Sequence, residues 1–325
     1  NYENNKIEEI WIFPGLIASY KSKETSISLI NETLMNNPNL VIKQSIEKLE
    51  YKLINSIRKL TTKKKQRIGL INGHGETTTE LINSFKNSIS EYYEIIDITI
   101  NEQLVALDNL DCIIINNPTK HFTEKDKFIL DQFIMNGGKS IWIVNGTNAN
   151  MDSLQSKSET IVLPIEKRNL EDMLFKYGIR INSDLIQDLQ AAPIPIVTHY
   201  IEETPQWSFF PWLFFPIISP KSEHITTINI NPIKSQFPSS IDTIKNKVKK
   251  TILLKTSPYT KIISTPALIN LESLKKKADE TKFNGGEKNI AILLSGSFQS
   301  IYTNRINHLI ENNSDIKFKD EVLKN

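Results

Sequence analysis

Four short apolar runs set the rhythm of residues 66–147. Arg67–Asn72 (RIGLIN), Glu94–Ile100 (EIIDITI), Asp111–Asn116 (DCIIIN) and Ser140–Asn145 (SIWIVN) are each about strand length, rich in β-branched residues and bounded by polar or glycine positions. Apolar on both faces, they suit the middle of a parallel sheet covered by helices. Between the first two runs, Thr77–Tyr92 spaces Leu81, Phe85 and Ile89 four apart, one face of a crossover helix. Between the last two, Thr123 is placed to cap a second helix, with Glu124 and Asp126 at the positive end of its dipole. Gly137-Gly138 offers that helix a residue free to take positive φ at its end. The order strand–helix–strand–strand–helix–strand predicts an α/β fold with a mostly parallel, doubly wound sheet.

Outside this core the pattern is mixed. Ile10–Ser19 reads as a strand broken at Pro14-Gly15, or a hairpin, and Ser26–Met35 as a short helix stopping near Pro38. Ile42, Ile46, Leu49, Leu53, Ile57 and Leu60 follow steps of 4, 3, 4, 4 and 3. They predict one amphipathic helix over Val41–Leu60 whose stripe packs on the body of the protein or on a partner. A third helix is expected after the cap candidate Asn169, running through Leu170, Met173, Leu174 and Tyr177 to Gly178, with an extended Arg180–Leu189 following.

Ala191–Pro220 holds six of the 14 prolines and the run Trp207-Ser208-Phe209-Phe210-Pro211-Trp212-Leu213-Phe214-Phe215-Pro216. Pro211 and Pro216 argue against a helix or a central strand, so a long loop is expected. Its aromatics either plug a gap in the domain or form an exposed apolar patch for a partner or a membrane interface. After Pro220 the pattern turns mostly β: Thr226–Asn231, Thr251–Lys255 and Asn289–Phe298 are strand candidates, and the charged Lys275–Glu287 reads as a mobile loop. The expected division is 1–62, an N-terminal strand and helix region; 63–190, the α/β core; 191–220, the Pro/aromatic loop; and 221–325, a β-rich part completing or flanking the core.

The chain of 325 residues has a formal net charge of +2, which recommends no nucleic-acid partner. The single cysteine, Cys112, excludes an internal disulfide and a thiolate zinc site, and inside an apolar strand it reads as an inert thiol. No apolar stretch reaches the roughly 20 residues that a membrane helix needs. A start without Met and an abrupt Lys324-Asn325 end read as a fragment whose membrane anchors lie outside it. Lys63-Lys64-Lys65 with Lys59 and Arg67 forms a basic cluster, either a solvated linker or a contact for phosphate or a lipid headgroup.

Open parallel sheets bind ligands at the carboxyl ends of their strands, which here means Gly73–Glu76 and Gly146–Asn150. Gly73-His74-Gly75-Glu76-Thr77-Thr78 lacks the third glycine of a dinucleotide loop, and Glu76 would repel a pyrophosphate. His74 and Glu76 could form a metal or acid–base pair; alternatively the two glycines permit a tight turn in which His74 hydrogen-bonds locally. The turn Val144–Asn148 offers no Ser or Cys for a nucleophile elbow. Thr147, Ser295 and Ser297 have no evident base. No catalytic residue, cofactor or metal is assigned. The candidate interaction residues are Trp207, Phe209, Phe210, Trp212, Phe214 and Phe215, with His74 and Glu76.

Several segments taken in order resemble the gliding-motility-associated GldG family of Bacteroidetes: Phe13–Ile17 through Leu49–Lys52, Ile71–Glu76 (INGHGE), Asn117–Phe128 (NPTKHFTEKDKF), Gln132–Lys139 (QFIMNGGK), Leu174–Asn182 (LFKYGIRIN), Asp188–Pro195 (DLQAAPIP) and Trp207–Pro216. The match runs over roughly residues 10–300. The resemblance implies the extracytoplasmic domain of a membrane-anchored auxiliary ("substrate-binding") component of an ABC transporter, at the periplasmic face of the inner membrane. Implied partners are the transporter's membrane and ATPase subunits and other motility or secretion proteins. The family's domain is similar to class I glutamine amidotransferase folds and to a domain of an intraflagellar-transport protein, without catalytic residues. The expected role is non-catalytic interaction. The rivals are a binding protein for a saccharide or lipid fragment at the strand-end crevice, and an amidotransferase- or hydrolase-like enzyme using Thr147, Ser295 or Ser297.

Overall fold

The computed structural model describes residues 14–30, 38–77, 80–165, 168–220, 224–228, 230–304 and 318–322, with the backbone of 2–3 and 6–7. The chain forms two compact units, residues 1–66 with 89–94, and residues 67–88 with 95–325.

In the first unit, β1 (Gly15–Tyr20) and β2 (Lys23–Ser28) form an antiparallel hairpin. The helix expected over 26–35 is therefore a strand as far as Ser28, and residues 31–35 lie outside the described residues. Thr25 and Ile27 are β-branched and alternate inward, which favours pairing over helix. Two helices follow, α1 (Pro38–Glu47) and α2 (Leu49–Thr61), so the single helix expected over 41–60 is interrupted at Lys48. Its stripe is packed away only in part: Ile42, Ile46 and Ile57 are exposed, Leu49 and Leu53 are half-buried and Leu60 is buried. The buried positions include Ser45 and Ser56, whose hydroxyls donate to the carbonyls of Val41 (2.7 Å) and Lys52 (2.8 Å) one turn earlier.

The second unit begins with the expected alternation: β3 (Arg67–Asn72), α3 (Glu80–Ser90), β4 (Glu94–Thr99), β5 (Cys112–Asn116), α4 (Glu124–Met135) and β6 (Lys139–Ile143). The sheet order is β4-β3-β5-β6, and β3/β5 and β5/β6 are parallel. Ile71, Ile115 and Trp142 stand in one row and pack in a core with Phe122, Phe128, Leu130 and Met135. As expected, Thr123 caps α4, its hydroxyl accepting from the Asp126 amide (3.1 Å). Buried Asp131 accepts from Tyr177 Oη, Ser300 Oγ, the Ile301 amide and Gln132 Nε2, which ties α4 to the chain's C-terminal part. On the opposite sheet face lie Leu70, Ile114 and Ile141, then Asn116 and Ile143. Ile141 and Ile143 are exposed, so the double winding is complete on one face only. Half-buried Cys112 has its thiol pKa raised by burial and by neighbouring Asp111.

Next come α5 (Met151–Lys157), β7 (Glu159–Val162) and α6 (Glu171–Tyr177), which stops at Gly178 with φ 108°. Asn169 does not cap α6. It takes positive φ, and its amide donates to the Phe122 carbonyl (3.0 Å) and Glu124 Oε1 (2.7 Å). The remaining chain builds antiparallel pairs from β8 (Ile179–Ile181), β9 (Asp184–Asp188), β10 (Ala191–Ile201), β11 (Thr204–Ile218), β12 (Ile241–Thr243), β13 (Lys249–Lys255), β14 (Thr260–Ser264), β15 (Ala267–Asn270) and β16 (Asn289–Ser295). They pair as β8/β12, β9/β14, β10/β11, β13/β16 and β7/β15. The strand expected at Thr226–Asn231 is a turn over 225–228, and Asn229 lies outside the described residues.

The expected Pro/aromatic loop is instead the hairpin β10–β11. Proline's fixed φ falls within the extended range, and its missing N–H matters only where the ladder calls for a donor. Pro193 lies opposite Pro211, so the two missing donors fall at one rung of the ladder, and a register shift separates that pair from Ala191↔Pro216. Trp212, Phe214 and Phe215 fill a second core with Leu185, Ile194 and Phe237. The Trp212 and Phe214 ring centroids lie 5.1 Å apart, and Phe215 meets Phe237 edge-on, also at 5.1 Å.

Candidate functional site

At the carboxyl end of β3, Gly73 and Gly75 take positive φ (114° and 74°), and a Cβ on Gly75 would collide with the Thr119 hydroxyl. This turn folds His74 inward, 5% exposed and stacked on Phe122 at 3.7 Å. His74 Nε2 is 3.0 Å from Asp126 Oδ2, and Nδ1 is 3.5 Å from Glu76 Oε1. The Glu76 carboxylate also accepts from the His74 amide (2.7 Å), and Asp126 from the Glu102 amide (2.7 Å). The His74 carbonyl accepts from the Thr119 and Lys120 amides. Burial acts against the imidazolium, but the bonds and charges of Glu76 and Asp126 outweigh it and hold the His74 pKa above its ordinary value. The group pins three loops together from inside. It leaves His74, expected as an interaction residue, almost no exposed surface to present to a partner.

A cavity of about 340 Å³ lies at the same edge, between α3 and the incompletely covered face of the sheet. Leu70, Ile82, Phe85, Ile114 and Ile143 form apolar walls, and Asn72, Glu76 and the Lys86–Asp97 ion pair (2.7 Å) supply polar groups. The Lys86 bond, with help from Asn72, holds the Asp97 carboxyl below its usual pKa range. Glu76 lines this cavity, but His74 and the 207–215 aromatics do not. This cavity therefore does not bring the candidate interaction residues together.

The turn after β6 is packed shut. The Gly146 amide donates to Ser239 Oγ, and a Cβ at Gly146 would run into the Asn182 carbonyl. Thr147 is buried and its hydroxyl has no hydrogen-bond partner. Among the described residues no group of three His, Cys, Asp or Glu side chains is placed to hold a metal ion.

The aromatic run divides along its strand. In the outer half of the hairpin, Phe209 lies opposite Pro195, Trp207 opposite Val197 and, past a register shift, Pro205 opposite Tyr200. These positions share one face, where Trp207 is 57%, Phe209 69% and Tyr200 68% exposed. The other face is mixed there, with Ser208 opposite Ile196, Gln206 opposite His199 and Thr204 opposite the exposed Ile201. In the inner half the even-numbered positions turn inward: Phe210 is half-buried, Trp212 is 2% exposed and Phe214 is buried. Phe215 is buried as well, where both faces of the strand are covered. Parity along an extended strand, which the sequence carries, assigns each ring to a face but does not say which face is covered. It is invisible once the segment is read as a loop.

Residues 65–321 match the family model described as an ABC-type uncharacterized transport system. The chain belongs to that family. It is thus an auxiliary component of ABC-type transport, and the family match takes in the His74 turn, the strand-end cavity and the whole β10–β11 hairpin. No curated protein matches this auxiliary component. Among solved structures it is similar to the "mmIFT52 N-terminal domain" at 14% identity, over 59% of this chain and 74% of that one, with a TM-score of 0.42, too distant to bear on fold or function. Among the described residues of the auxiliary component, no helix is long and apolar enough to cross a membrane.

Proposed function

We propose that the chain is a non-catalytic, extracytoplasmic docking domain of an ABC transporter, held at the periplasmic face of the inner membrane and linked to gliding motility as in the GldG family. In this reading an amidotransferase-like sheet serves as scaffold and has no nucleophile at its carboxyl edge. The outer half of the β10–β11 hairpin seats a membrane subunit of the transporter. The observation that carries it is the aromatic face of Trp207, Phe209 and Tyr200, left exposed while the next turns of the same strand are buried. Exposed aromatics grouped on one face mark association surfaces, and membership of an auxiliary transport family supports the transporter as partner. The test is cross-linking and pull-down from native membranes with the pair Trp207→Ser and Phe209→Ser. Recovery of transporter subunits falls by about tenfold or more if both rings are anchors, with the melting temperature unchanged. Undiminished recovery rules the hairpin out.

The apolar-walled cavity between α3 and the sheet favours a second reading, a small-ligand site for a lipid or saccharide fragment. Native mass spectrometry of protein taken from its own membranes would reveal a retained ligand that Ile114→Trp expels. A ligand-free spectrum in both ends that reading.

A further inference from the structure

The first unit holds a concavity of different chemistry. A space of about 560 Å³ is lined by Lys23 from the β1–β2 hairpin, Arg58 and Lys59 from the last turn of α2, Lys63, Lys64 and Lys65 beyond it, and Glu91 and Tyr92 from the 89–94 segment. Six cationic side chains thus face one carboxylate. The bonds these cations make do not discharge them. Lys23 Nζ donates to the Thr62 carbonyl (3.0 Å) and Lys65 Nζ to the Ser90 carbonyl (2.7 Å). The Arg58 guanidinium stands 5.3 Å over the Tyr92 ring, whose hydroxyl is 3.3 Å from that of Tyr51. Among the described residues, Lys59 is the one of the six in an ion pair, with Glu91.

A helix's negative C-terminal end accounts for Arg58 and Lys59. It does not account for Lys23, which arrives from a different element, nor for the lysines beyond the helix end. A solvated basic run would spread its charges apart. Here carbonyls and a ring hold three of them, and Glu91 a fourth, around one hollow, where a bound anion would relieve the remaining mutual repulsion.

We propose that this pocket binds a phosphate group, the chemistry shared by a soluble polyphosphate and an anionic phospholipid headgroup. The pocket's cations bind the phosphate oxygens, while exposed Lys63 and Lys64 draw the anion in. The 325-residue chain is titrated with pyrophosphate by calorimetry and, separately, sedimented with phosphatidylcholine vesicles with and without phosphatidylglycerol. Binding of pyrophosphate identifies a soluble source. Binding only to phosphatidylglycerol vesicles identifies a headgroup. In either case Lys63→Glu with Lys64→Glu weakens binding by about tenfold or more, and Arg58→Gln, which leaves the lysines in place, weakens it measurably. Lys276→Glu with Lys277→Glu, an exposed pair elsewhere with the same change in net charge, leaves it within about twofold. Failure to bind either probe overturns the proposal. So does equal weakening by the two lysine pairs, since net charge alone would then explain the attraction.

Discussion

The two ends of the β10–β11 hairpin have similar residues and opposite surroundings. At the base, Trp212, Phe214 and Phe215 interleave with Leu185, Ile194 and Phe237 in a closed core. Toward the tip, Trp207 and Phe209 occupy one face of the same strand with nothing of the described chain over them. Aromatic content therefore says little about role. What separates anchor from contact surface is whether another element covers the face to which the strand's alternation assigns the ring.

The sharpest way to break the comparison is at the base. Trp212→Ala is expected to cost about 3–5 kcal/mol of stability, as for a large ring deleted from a packed core, measured by chemical denaturation. Trp212→Phe keeps most of the ring contacts and removes an indole N–H that is buried without a partner. Its expected cost is a small fraction of that. Equal costs would mean that the site tolerates no change of shape.

Next is the tie at the foot of the hairpin. Buried Asp188 accepts from the Gln190 and Ser257 amides and from Ser257 Oγ (2.6 Å). Asp188→Ala leaves those donors unanswered and is expected to cost about 2–3 kcal/mol, again by denaturation. A cost near zero would show that the hairpin is held by its aromatics alone.

The His74 niche gives a smaller, pH-dependent effect. Its pKa is raised in the folded state, so its contribution is fully present below the ordinary imidazole value and is lost as pH rises through the folded value. Comparing the protein with His74→Gln across the neutral range, the stability difference is expected to shrink as pH rises. A difference that grows with pH would reverse the assignment of charge to this imidazole. Smallest of all is the tip: Trp207→Ser with Phe209→Ser is expected to change stability by no more than about 0.5 kcal/mol, by thermal melting. A larger loss would mean that these rings pack in solution and are no free surface.

Much of the fold could be read in advance because its signals are local. The β-branched runs at 67–72, 94–99, 112–116 and 139–143 became strands of one sheet, Thr123 capped α4, and Gly178 ended α6 with positive φ. The readings that failed needed distant information. Prolines argue against a strand over 204–218 when the segment is read alone, whereas the pairing sets Pro193 opposite Pro211. The helical stripe from Ile42 to Leu60 has the right period, yet Ser45 and Ser56 take buried positions while Ile46 and Ile57 stay exposed. For the candidate site, the residue types were legible and their grouping was not. His74 and Glu76 do share a niche, but with Asp126, 52 positions beyond His74, and away from the aromatics.

The sequence by itself determined which segments are strands or helices along most of the core, where several of them stop, and, through motifs in series, the transport family. Those properties follow from backbone preference and the order of side chains along the chain. Tertiary structure alone decided which rings are buried, that one sheet face is left partly bare, and that lysines from separate segments surround one hollow. Burial and charge are sums over neighbours brought from distant parts of the chain, and no local pattern carries that sum.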